Sequence, residues 1–202
     1  MFEESQIALF VNNFNESDIN RVAFAWNGKQ AAEFIDTNLE FREEVTRYVL
    51  QHPAGVSVDL LRALFLAHAE CSIEAGGAPL NFADLGALLL SYGGPDVVDD
   101  FATGFMATFD TYGACHGMSI DTLTLRNVIQ YVAEALEGEL DDEHRRYLEA
   151  TQNLFEKIKA GTAQEGWKVI SPGSEVHNIR VVKGKHLIGL RIKEAFRRLF
   201  TR

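Results

Sequence analysis

The chain has 202 residues, 47% of them hydrophobic, and a formal net charge of -10. That length and apolar share suffice for a buried core and exclude wholesale disorder. Two cysteines exclude a disulfide scaffold and fit a reducing cytoplasm. No apolar run approaches the ~20 residues of a membrane span, and MFEESQIALF carries acids where a signal peptide carries positive charge.

The charge is unevenly spread. Residues 166–202 hold nine basic and two acidic side chains, which leaves ten basic and 27 acidic ones in residues 1–165. The expected organisation is therefore an acidic body, 1–165, and a basic tail, 166–202, docked on it as part of a single domain. An acidic body repels phosphates and argues against general nucleic-acid affinity.

Phe2, Ile7, Phe10, Val11 and Phe14 recur at helical spacing, which predicts a first helix over 2–14. Ser17 is the expected N-cap of a helix over 18–26, ended by Gly28, and 29–35 reads as a short helix. Thr37 or Asn38 caps a helix over 39–51 that Pro53 stops. Between Val58 and Ala67 only Asp59 and Arg62 are charged, so 57–77 reads as a buried central helix with Ser57 as its N-cap. Gly76 and Gly77 end it. Asn81 caps a helix over 82–92. Gly93, Gly94 and Pro95 break the chain, and a helix follows to about Tyr112. Ser119 or Asp121 opens a helix to Leu136, and 141–159 forms another. Beyond Gly161 two β-rich runs, 167–170 and 176–182, flank Ser-Pro-Gly-Ser and predict a small hairpin. A final basic amphipathic helix over 185–200 has the apolar stripe Ile188, Ile192, Ala195, Phe196 and Leu199.

The expected fold class is thus all-α, built from consecutive helical hairpins, with a small β-hairpin near the C-terminus. A shift of forty residues superposes Phe65, Ala67, Gly77 and Leu85 on Phe105, Ala107, Gly117 and Leu125. A helical repeat of that period would make a solenoid-like array.

Three sets of residues are candidates for function. Glu70, Glu74, Asp96, Asp99 and Asp100 are acids expected on the surface, suited to a partner protein with a basic face. His68, Cys71, Cys115 and His116 have the donor types of a tetrahedral zinc site, although their spacing matches no standard pattern. Buried small hydrophobes and a hydrogen-bonded core histidine explain the same residues more simply. Lys185, Arg191, Arg197 and Arg198 give the tail a basic face that could meet anionic lipid or nucleic acid, or pair with the acidic body.

The sequence lacks a P-loop, GxGxxG, HExxH, GxSxG and CxxC. The leading expectation is a cytoplasmic protein-interaction module without a cofactor, of the kind in which an immunity protein or antitoxin neutralises a basic partner. A small metal-binding protein or metalloenzyme is the alternative, and a membrane- or nucleic-acid-binding adaptor acting through the tail is the third.

Overall fold

The helices follow from where the apolar residues and caps fall. In the computed structural model, which describes residues 2–163, α1 (Glu4–Asn13) buries Ile7, Phe10 and Val11. It packs on α3 (Leu39–Gln51), which buries Val45, Thr46 and Val49. Between them lies α2 (Ile19–Val22), a short helix entered through a 3-10 turn, Glu16–Asp18. Asn15, not Ser17, caps that turn, in a reciprocal box with Asp18.

The central helix α4 (Val58–Ala75) starts at Ser57, whose hydroxyl accepts from the Leu60 amide at 3.2 Å. It packs on α5 (Phe82–Gly93) and α6 (Val98–Phe105). After α7 (Phe109–Cys115), α8 (Thr122–Leu136) and α9 (Asp142–Lys159) pair with each other, and α9 covers α6. Asp121 and Asp141 cap α8 and α9 by accepting amide hydrogens of the first turn. All the regular elements among the described residues are helical, as the composition pattern requires.

A row of stacked rings joins these layers. Phe65 of α4 lies between Phe82 and Phe101, at centroid distances of 4.5 and 5.6 Å, and Phe101 continues the row to Phe105 and Phe155. Glycines make the room. A Cβ on Gly104 would sit 2.5 Å from the Phe65 ring, and one on Gly86 would sit 3.0 Å from Phe101. The close approach of α5 and α6 to α4 depends on these two missing side chains.

Three expected elements differ in detail. The helix predicted over 18–26 ends at Val22, and 29–35 holds only a 3-10 turn, Ala31–Glu33. The reason is Asn27, whose side chain donates to Glu33 O and accepts from the amides of Lys29 and Ile35. These bonds fold 23–38 into a loop closed by an antiparallel bridge between Trp26 and Asp36. The long helix expected from Pro95 to Tyr112 is a 3-10 turn (Gly94–Val97), α6 and α7. Thr108 forms a capping box with Thr111 and starts α7 afresh.

That break bears on the forty-residue echo. It superposes the single helix α4 on two helices, α6 and α7, so the helix boundaries do not repeat with the residues. The predicted hairpin, the final helix and the tail residues Lys185, Arg191, Arg197 and Arg198 lie outside the described residues.

Candidate interaction groove

The five acids singled out in the sequence fall into different settings. Asp99 is engaged by two side chains: it accepts from Tyr131 Oη at 3.2 Å and meets His144 Nε2 at 3.0 Å. Asp100 accepts from Arg62 Nε at 2.6 Å, and Glu74 from Gln30 Nε2 at 3.0 Å. Asp96 is exposed on the turn before α6. Glu70 is exposed on α4, at the edge of a groove. Of the five, Glu70 alone lines that groove.

The groove itself, about 520 Å³, lies beside α4. One wall is a single face of that helix: Asp59, Arg62, Ala63, Leu66, Ala67 and Glu70, at positions i, i+3, i+4, i+7, i+8 and i+11. The other wall is the end of α1 and the way into α2, through Phe14, Asn15, Glu16, Ile19 and Ala23. Its floor is apolar. Its rim carries the carboxylates of Glu16, Asp59 and Glu70 against one guanidinium, Arg62. That guanidinium is bound to two carboxylates at once, Asp59 at 2.7 Å and Asp100 at 2.6 Å. Neither Glu16 nor Glu70 meets a cation among the described residues. A second hollow, about 130 Å³, is a quarter of the size; of its charges Glu44 and Arg47 pair with each other, and Glu4 lies 3.9 Å from His52 Nε2.

The histidines and cysteines serve the interior. His68 Nε2 shares a hydrogen bond of 2.9 Å with Thr46 Oγ1, which ties α4 to α3. Burial, with Arg42 nearby, lowers the His68 pKa to about 3, so this imidazole is neutral at ordinary pH. Cys71 is buried on the same side of α4, and burial raises its thiol pKa. Cys115 is fully buried, and burial raises its pKa too. His116 meets the Tyr112 carbonyl through Nδ1 at 2.9 Å and lies beside the Phe105 and Tyr112 rings. Both thiols are thus held protonated, away from the thiolate a metal or a nucleophilic reaction needs. Among the described residues no three His, Cys, Asp or Glu side chains converge as metal ligands would, so His68, Cys71, Cys115 and His116 are not brought together.

A buried ion pair that the sequence reading missed holds one wall of the groove. Arg42 and Asp36 are both wholly buried and joined at 2.5 Å. Arg42 Nη1 also donates to the carbonyls of Val22 and Ala23, each at 3.3 Å. Asp36 Oδ1 accepts from the amides of Ala25 and Asn38. The pair therefore fixes the end of α2, where Ala23 lines the groove. The available signal was phase: Arg42 precedes Val45, Thr46 and Val49 by three, four and seven residues, which places it on the buried face of α3.

Among the described residues no helix is long and apolar enough to cross a membrane. No protein-family model, curated protein or solved structure matches this chain.

Proposed function

We propose that the protein is an interaction module whose acidic body covers a basic surface of a partner protein. The observation that supports this most directly is the apolar groove rimmed by Glu16, Asp59 and Glu70, where internal pairing leaves the carboxylates in excess. Elsewhere on the body most cations are already in ion pairs, among them Lys29 with Glu33, Arg47 with Glu44, Arg146 with Glu143 and Lys159 with Glu156. The acid surplus is left to face outward, where it steers a basic partner and excludes an acidic one. A protein that neutralises a basic nuclease by lying over its cationic cleft, as an immunity protein or antitoxin does, needs such a surface. The two cysteines are free and buried, which fits work in a reducing cytoplasm.

The test is affinity capture with the full-length protein and with a Glu16→Lys, Glu70→Lys, Asp96→Lys variant, followed by mass spectrometry. The expected result is a basic partner that the variant fails to retain and that elutes as salt rises. An acidic partner, or equal retention by both proteins at every salt concentration, would refute the reading.

A further inference from the structure

We propose that the groove beside α4 binds an amphipathic helix of the partner protein, about three turns long, with an apolar face flanked by lysine or arginine. This rests on the interaction reading above and specifies the element that the partner inserts.

The walls dictate that the occupant is helical. They are side chains of α4 and of the α1–α2 corner, whose backbone groups are largely satisfied within their own helices and turns. An extended peptide pressed into such a groove would bury amides and carbonyls against apolar side chains, with no sheet edge to pair them. The strand-like pairing of Trp26 with Asp36 involves neither wall. A helix brings its backbone hydrogen bonds with it. The length follows from α4, whose lining face runs from Asp59 to Glu70, about 16 Å at the helical rise.

The lining also sets the character of the occupant. Ala63 and Ala67, with Ala23 opposite, add little bulk and let a second helix approach closely. Leu66, Ile19 and Phe14 offer apolar surface to one or two large anchors, and Ile19 is 38% exposed. Around this floor stand three carboxylates and a single guanidinium that already serves two acids. Lysine or arginine beside the anchors meets Glu16 and Glu70, whereas phosphates and acidic peptides are repelled.

The probe is a fluorescein-labelled peptide of about 14 residues, with leucines at i, i+3, i+4 and i+7 between lysine flanks, titrated with the full-length protein by anisotropy. Two controls share its length: one permutes the same residues so that the leucines leave a common face, and one carries glutamate flanks. Ala63→Trp plugs the groove at a half-buried position, and Glu16→Lys with Glu70→Lys reverses the rim. Saturable one-to-one binding of the lysine-flanked helix, weakened about ten-fold or more by either change and absent for both controls, is the expected result. If circular dichroism shows Ala63→Trp unfolded, Ala63→Leu decides in its place. Equal binding of the permuted peptide, or indifference to the plug, overturns the helix proposal while leaving the acidic-surface reading intact, because that reading depends on charge and not on groove shape. Absence of saturable binding overturns it as well, and so does a dimer in sedimentation that competes with the peptide, since a second copy would then fill the groove.

Discussion

At the scale of single residues, buried polar groups decide the most. Arg42 and Asp36 compensate each other where water is excluded, and four backbone groups bond to them as well. Removing one partner strands the other charge. Arg42→Met should therefore cost about 3–5 kcal/mol in urea unfolding, and Asp36→Asn added to it should restore part of that loss. His68 gives a pH signature. Its folded pKa, about 3, lies below the ordinary value of 6.5 because burial disfavours the cation. Below pH 6.5 the unfolded chain takes up a proton that the folded chain refuses. Stability from this group is complete above that pH and falls as pH drops towards 3, by up to about 1.4 kcal/mol per unit. His68→Gln should flatten the stability curve between pH 6.5 and 5, measured by urea midpoints in that window. A variant curve as steep as that of the parent would mean another group carries the slope. The two differ in legibility: a hydrogen-bonded core histidine is the simpler reading of His68 from sequence, whereas residue type does not separate the buried Arg42 from the exposed Arg47 on the same helix.

Elements are positioned by what is missing as much as by what is present. Helices α5 and α6 close on Phe65 because Gly86 and Gly104 lack side chains. Alanine is the better helix former, by about 1 kcal/mol. At Gly104 the clash dominates, because the atom met at 2.5 Å belongs to a fully buried ring that has nowhere to move. Gly104→Ala should lower stability by about 1–3 kcal/mol, which thermal unfolding can check; a rise in melting temperature would contradict the packing account. The Thr108 capping box is a second such decision. Thr108→Ala should cost about 1 kcal/mol and fray the start of α7, visible as faster amide exchange at Thr111. The sequence shows glycines and threonines at these places, but helix propensity alone runs α6 into α7.

At the largest scale, that of the described residues together, the quantity to test is the field of an acidic body around the groove beside α4. Long-range attraction of a basic ligand is screened over about 8 Å at physiological salt. Raising NaCl from about 50 to about 300 mM should slow association of the lysine-flanked peptide several-fold and change its dissociation much less, since contacts on the groove floor are not screened. Stopped-flow anisotropy separates the two rates. A change confined to dissociation would show that the rim charges do not steer. Of the acids read from the sequence, only Glu70 stands in the groove; Asp99 and Asp100 pair with Tyr131, His144 and Arg62, and Glu74 with Gln30.

Sequence alone determined the helical class, most helix positions and the helix-starting role of Ser57, because periodicity and capping are local properties of the chain, while it left Ser119 and Asp121 as alternatives at the start of α8. It also showed the acid surplus, which is a matter of composition. Tertiary structure decided where that surplus meets apolar surface. Helix α4, read as buried on nearly all sides, leaves Arg62, Ala63, Leu66 and Glu70 only partly covered or exposed. The reason is that α2 ends at Val22, and the loop after it, tied by Asn27 and the Arg42–Asp36 pair, is drawn towards α3. Arg42 also reaches the carbonyls of Val22 and Ala23, 20 and 19 residues away, and no local pattern encodes such contacts.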